Sequence, residues 1–143
     1  MSEHNEQSVR RFFDEMCNKR QLDLADQLFS PDHVYHDPSS RWVGTGPAGM
    51  KELIRAYILA FGDALWDVHE VIETGDKVIT RWTGRGTHTA DLMAIRATRK
   101  QVSVDGIWIH RFADGKIVES WNAWDMLGLL QQIGAVPPIG EAK

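Results

Sequence analysis

In the first part of the chain apolar side chains recur every three or four positions. Val9, Phe12, Phe13, Met16 and Cys17 share one face and predict a helix from about 3 to 19. Ser2 is placed to cap it, with Glu3 and Glu6 in the first turn favouring the helix dipole. Leu22, Ala25, Leu28 and Phe29 line one side of a short second helix that Ser30-Pro31 stops. "HVYHDP" is a short strand ended by Pro38, and "SSRWVGTGPAG" is a loop. Pro47 opens a third helix with an apolar stripe of Met50, Leu53, Ile54, Tyr57, Ile58 and Phe61.

After Gly62-Asp63 the period drops to about two. "WDVHEVIET" turns at Gly75-Asp76 into "KVITRWTGRGTH". "KQVSVDGIWIHRF" turns through "ADGK" into "IVESWNAWD". "MLGLLQQIG" is a closing helix with Gly134 as its stop, followed by the tail "AVPPIGEAK". Helices first and antiparallel strands after predict an α+β domain. No repeat or linker divides the chain, so 1–143 reads as a single domain.

The "FADGKI" hairpin admits two registers. A two-residue Asp-Gly loop pairs Phe112 with Ile117, whereas a type I turn with Gly115 as a bulge pairs Phe112 with Lys116. The second suits Ala113-Asp114-Gly115 and is preferred. It puts Trp108, His110, Phe112, Val118, Ser120 and Asn122 on one face, a mixture of polar tips and large apolar bodies that suits a pocket wall. Ile107, Ile109, Arg111, Ile117, Glu119 and Trp121 take the other face. That face is too apolar for water and too few helices remain to cover it. A second copy of the chain is the expected cover, giving a homodimer.

Composition narrows the partners. The 143 residues suit one core, with 43% apolar and 25% charged residues and a formal net charge of −4. No basic run offers a nucleic-acid or anionic-membrane surface. Cys17 is the single cysteine, which excludes an intrachain disulfide and a cysteine zinc site. No apolar run reaches the length of a membrane span, and the polar start "MSEHNEQS" lacks the core of a signal peptide, so a cytoplasmic location is expected. Six tryptophans are many for this length. An indole N–H needs a partner when buried, so a pocket or an interface could use some of them.

Several residues carry candidate chemistry. Asp37, just before Pro38, is either turn chemistry or a base directed into a pocket. Alternation points His36 away from Asp37, and the same alternation opposes a metal site built from His33, His36 and Asp37. His110 is either a satisfied inner-face histidine or a pocket acid. Asn122 either bonds backbone or lines the pocket. His88 follows the bend "GRGT" and could stand at the pocket mouth. Trp42, Trp66, Trp82 and Trp124 are expected in the core or an interface.

The segments "GTGPAG", "GDKVITRWTGRGTH", "VDGIWIHRFADGKIVESWNAWD" and "GLLQQIG" resemble the SnoaL-like polyketide cyclases of the nuclear-transport-factor-2-like fold. The resemblance implies a cone-shaped curved antiparallel sheet wrapped around N-terminal helices, enclosing a deep apolar pocket. It implies aldol chemistry with no metal and no cofactor, in which a carboxylate takes a proton alpha to a carbonyl and donors hold the enolate. The family's base falls on Asn122, a neutral amide that cannot accept a proton at pH 7, and an assisting histidine falls on Trp108. "LMAIRATRK" departs from a pattern with Gly and Pro near Ala94 to Ala97.

The related ketosteroid isomerases carry their base before a proline, which is Asp37 here. Their oxyanion-hole Tyr falls on Phe13 and its Asp on Trp108. The resemblance therefore implies Asp37, Asn122, Trp108 and His110 as the catalytic set, with Phe13, His36, His88, Phe112 and Ser120 around a small apolar or polycyclic ligand. Two functions follow: a cofactor-independent enzyme on a carbon acid, of cyclase, isomerase or lyase type, or a non-catalytic small-molecule binder that has lost the cyclase base at Asn122.

Overall fold

A computed structural model describes residues 2–39, 44–138 and 140, without the side chains of residues 2 and 3. The expected Ser2 cap, the role of Glu3 and the placement of Trp42 lie outside the described residues.

The helical period at the N-terminus produces α1 (Ser2–Arg11), which runs on as a π-helical stretch, Phe12–Asn18. Val9, Phe12, Phe13, Met16 and Cys17 are fully buried, while Glu6 and Arg10 pair at 3.0 Å on the outside. A 3₁₀ turn (Leu22–Leu24) leads into α2 (Ala25–Leu28). Here the structure departs from the expected boundary. The helix ends at Leu28, and Phe29 opens β1 (Phe29–His36) with Pro31 inside the strand. Proline is tolerated because β1 is an edge strand whose register breaks between Phe29 and Val34, so no ladder N–H is missed.

α3 (Gly46–Ala60) follows with Pro47 in its first turn. Then come β2 (Leu65–Thr74), β3 (Lys77–Thr87), β4 (Gln101–Ala113), β5 (Lys116–Trp124) and α4 (Met126–Gln132). The five strands form one curved, unclosed sheet in the order β1-β5-β4-β3-β2. The run β2 to β5 is an antiparallel meander, and β1 adds to it parallel to β5. The α+β architecture expected from the two hydrophobic periods is the one observed.

The hairpin between β4 and β5 takes the register that the sequence reading set aside. Asp114 (φ 53°) and Gly115 (φ 79°) are both left-handed, so the loop is a two-residue turn that pairs Ala113 with Lys116 and Phe112 with Ile117. The extra residue still exists, but it sits further on, between Ile117 and Glu119, where the register shifts. Ile117 therefore turns inward and is fully buried, and Val118 is half-buried. Beyond the bulge the expected faces hold. Trp108, His110, Phe112, Ser120 and Asn122 are buried, while Ile107 is 46% exposed and Ile109, Arg111, Glu119 and Trp121 are half-buried on the opposite side.

Helices cover the inner face. Phe12 meets Phe13, Phe29, Trp108 and His110 edge-on with ring centroids 4.9–5.6 Å apart, a geometry that adds to burial. Asn18 fastens the end of the π-helical stretch to the β2 edge, donating to the Trp66 carbonyl at 2.9 Å and accepting from its N–H at 2.8 Å.

Two histidines lie deep in this core. His110 is stacked flat on Trp108 (4.9 Å, 6°), and neither ring nitrogen has a partner. His33 shares a 2.8 Å hydrogen bond with Ser120. Burial pushes His110 down to about 3 and His33 down to about 4, each with a smaller effect from the other histidines nearby. Both are neutral in the fold, whereas the unfolded chain takes up their protons near pH 6.5. Their contribution is complete above about 6.5 and is lost as pH falls toward the folded values, with a slope of up to about 1.4 kcal/mol per pH unit for each histidine. Thermal unfolding followed by circular dichroism should therefore show Tm falling steadily from pH 7 to 5. His110→Phe, which keeps a flat buried ring, should make that fall shallower, and an unchanged slope would show that His110 does not titrate in this way.

Candidate functional site

The site is built where β1 runs alongside β5. Tyr35 stands opposite Ser120 and His36 opposite Trp121. Because the strands are parallel, the next residues continue in step, and Asp37 arrives beside Asn122 and Trp124. Alternation turns His33 and Tyr35 inward, buried, and His36 outward.

Asp37 makes the turn contact that its sequence context allowed, and its second oxygen meets two side-chain donors. Oδ1 accepts the Ser39 N–H at 2.8 Å, the turn expected before Pro38. Oδ2 accepts the Tyr35 hydroxyl at 2.8 Å and the Trp124 indole N–H at 3.0 Å. Asn122 in turn donates from Nδ2 to the Tyr35 oxygen at 3.2 Å. A directed chain results: Asn122 to Tyr35 to Asp37, with Trp124 as a second donor. Burial pushes the Tyr35 phenol far above its ordinary value, and the carboxylate beside it works in the same direction. Tyr35 is therefore a protonated donor at any ordinary pH.

Tyr35, Asn122 and Trp124 also line an apolar cavity of about 80 Å³. Leu53, Ile54 and Tyr57 of α3, with Phe61 just past its end, form one wall. Trp82, Val102, Val104 and Trp108 form the sheet side, and Ala64, Trp66 and Leu129 close the ends. Of the α3 stripe read from the sequence, Leu53, Ile54, Tyr57 and Phe61 face the cavity, whereas Met50 and Ile58 are not in its lining. Burial, with Asp37 nearby, pushes the Tyr57 hydroxyl up to about 12, so it too stays protonated. Arg85 sits at the edge of the lining, held by Asp67 at 2.8 Å.

The expected site residues separate into groups. Asn122 and Trp108 line the cavity, and Asp37 stands one side chain behind its wall. His110, Phe13, Phe112 and Ser120 are buried but absent from the lining; Phe12 of the π-helical stretch and Phe29 of β1 pack over His110 at that end of the sheet. His88 is not at the mouth. It is fully buried, tilted against Phe61, and accepts the Thr98 N–H at Nδ1, which pins the base of the 88–100 loop. In that loop Met93 and Ala94 both adopt positive φ (47° and 68°) to make a tight turn without glycine. His36 faces outward, stacked on Trp121 (5.4 Å) and 2.7 Å from Glu119, which Arg111 also holds at 3.0 Å. His36 and Trp121, with Ile107, Ile109 and Ala123, border an open groove on the outer face that Tyr35, Asp37 and Asn122 also line.

Sequence reasoning passed over Tyr35, Tyr57, Trp66, Trp82 and Trp124 as site residues. The three tryptophans, expected in the core or an interface, do pack in or against the core and also line the cavity. Tyr35 had a signal, since it shares the strand parity of Asp37. Among the described residues no group of three His, Cys, Asp or Glu could hold a metal ion, and no helix is long and apolar enough to cross a membrane.

Comparison with known proteins gives the arrangement a context. No curated protein matches the chain. Among solved structures, AclR from Streptomyces galilaeus, provisionally assigned as a hydroxylase, superposes with a TM-score of 0.84 at 26% identity, covering 99% of this chain and 87% of that one. TsrD from Streptomyces laurentii gives 0.85 at 26% identity, covering 95% and 98%. IdmH from Streptomyces antibioticus, provisionally assigned as a polyketide cyclase, gives 0.77 at 26% identity, covering 91% and 98%. The family model for SnoaL-like polyketide cyclases matches residues 7–133, and the chain belongs to that family.

Proposed function

We propose that the protein is a cofactor-independent enzyme on a small carbon-acid ketone, and that Asp37 receives the proton through Tyr35. The observation that carries this reading is the Asn122–Tyr35–Asp37 chain, which joins a carboxylate to the wall of an apolar cavity. As the carbon–hydrogen bond alpha to the carbonyl breaks, its proton goes to the Tyr35 oxygen and the Tyr35 proton goes to Asp37. The electron pair becomes an enolate, and Trp108, whose indole lines the same cavity, offers an N–H to the enolate oxygen. Return of the proton along the same chain completes an isomerisation. Attack of the enolate carbon on a second carbonyl, whose oxygen takes that proton back from the relay as a hydroxyl, completes a cyclisation.

A relay places the base away from position 122. Asn122 keeps its amide on the Tyr35 oxygen and orients the relay, instead of acting as the proton acceptor. The cavity is below the roughly 300–1,000 Å³ of common ligand sites, which favours flat ligands of one or two rings and requires lining side chains to part for larger ones. A non-catalytic binder is the second reading. It is favoured by the neutral Asn122 at the family's base position and by the full set of donors already on Asp37.

Deuterium exchange at C2 of 1-tetralone, followed by proton NMR, tests the chemistry without the natural substrate. The wild-type protein should accelerate exchange. Asp37→Asn should lower the rate by about 10²–10⁴-fold, the usual weight of one positioned base, and Tyr35→Phe should lower it by a comparable factor. If the wild type accelerates exchange and Asp37→Asn does so equally, the proton goes elsewhere. No acceleration by any form leaves the binding reading.

We further propose a second copy of the chain as the cover of the outer face. Ile107, 46% exposed, lies there beside half-buried Ile109 and Trp121, next to the Arg111–Glu119 pair. Sedimentation should give a dimer at micromolar concentration, and Ile107→Lys should give a folded monomer. A wild-type monomer at that concentration would overturn it.

A further inference from the structure

The inward row of β3 runs through Val78, Thr80, Trp82, Gly84 and Gly86 and ends one step past the strand at His88. Pairing with the chain before β4 continues that far. The His88 N–H donates to the Lys100 carbonyl at 2.9 Å, and the Arg99 N–H donates to the His88 carbonyl at 2.9 Å. Alternation therefore turns His88 to the side of the sheet where Trp82, Gly84 and Gly86 line the cavity. His88 is absent from that lining because Phe61 stands in front of it. The two rings lie 5.3 Å apart at 31°, and Phe61 is itself part of the cavity wall. Gly86 lets Phe61 settle there, since a Cβ at Gly86 would lie 3.0 Å from Phe61 Cβ and 3.4 Å from Ala64 Cα.

His88 is fully buried, and its Nε2 has no partner. Nδ1 accepts the Thr98 N–H at 3.2 Å, so the neutral ring carries its proton on Nε2. A buried donor left unmade is costly, and the 88–100 loop does not use this one, because its base is held through Nδ1. Phe61 is the side chain that can uncover it. Phe61 follows the last residue of α3 with φ −126° and ψ 85°, outside the helical turn. The backbone beyond it is fastened. The Gly62 N–H donates to Thr89 Oγ1 at 3.2 Å, and Asp63 accepts the Thr87 N–H at 2.7 Å and its hydroxyl at 2.9 Å. What is left to move is the Phe61 ring, by rotation about its side-chain bonds.

We propose that Phe61 is a gate, and that turning it joins the cavity to His88, whose Nε2–H then donates to an acceptor oxygen at the far end of a ligand too long for the closed cavity. His88 is thus a specificity residue for ligand length and for an acceptor at that end. This rests on the cavity being the ligand site of the proposed function, but not on Asp37 acting as a base.

Three probes share one ketone and differ at the opposite end: 1-tetralone, 6-acetyl-1-tetralone and 6-isopropenyl-1-tetralone. They carry nothing there, an acceptor, and an apolar group of the same shape. In wild-type protein labelled with ¹⁵N at histidine, the acetyl compound should move the His88 Nε2–H signal, assigned as the one lost in His88→Asn, and 1-tetralone should leave it in place. By calorimetry, His88→Asn, whose amide oxygen can still accept the Thr98 N–H, should weaken the acetyl compound by about tenfold, the weight of one hydrogen bond, and leave the isopropenyl compound unchanged. Phe61→Ala removes the gate and should favour both longer ketones over 1-tetralone, relative to wild type. If 1-tetralone binds and both longer ketones are refused even by Phe61→Ala, there is no extension toward His88 and the gate is overturned, with the ligand site intact. An acetyl compound that binds without moving the His88 signal overturns the donor role. Failure of the wild type to bind any of the three overturns both the gate and the ligand site. Loss of exchange in Asp37→Asn is read separately and bears only on the base.

Discussion

The parallel pairing of β1 with β5 is the constraint on which the site depends. In an antiparallel pair, residues beyond the contact diverge. In this parallel pair both strands run toward the same end of the sheet, and Tyr35–Asp37 rises alongside Ser120–Trp124. Everything between, α3 and the first strands of the meander, serves as the long crossover that a parallel pair needs. That crossover lays the α3 stripe over the sheet and so makes the cavity that Tyr35, Asn122 and Trp124 border.

Polar groups in this interior fall into two kinds. The Asp37 cluster is well satisfied, with three donors on one carboxylate. Charge-assisted bonds of this type are worth about 1.5–3 kcal/mol each, and they hold the carboxylate, the phenol and the indole in one arrangement. The buried imidazole of His110 has no such partners and is carried by aromatic packing alone. A residue that resembles a pocket acid by type and face is thus a neutral packing element, because Phe12 and Phe29 cover its end of the sheet.

Membership in the SnoaL-like polyketide cyclase family, shown by the match over residues 7–133, leaves room for local rearrangement of the chemistry. At position 122 an amide stands where the resemblance puts a carboxylate, and the carboxylate in the neighbourhood comes from β1. The two positions are linked through one phenol. The carboxylate near this wall is thus supplied from a different part of the chain.

The sequence by itself determined the periods, and with them the helices, the meander, the inward face of β4 and the candidacy of Asp37, because periodicity and turn chemistry are local. It also contained the one-residue excess in the last hairpin, but not its location. Asp114-Gly115 can adopt a two-residue turn or a bulged one, and only the packing of Ile117 into the core selects the first. The direction of β1 relative to β5, the distance of His88 and His110 from the cavity, and the role of Tyr35 depend on contacts between residues far apart in the chain. Trp82 is the plainest case. Its type suggested core, and it became the floor of a cavity because glycines at 84 and 106, one of them on a different strand, left the space for its ring.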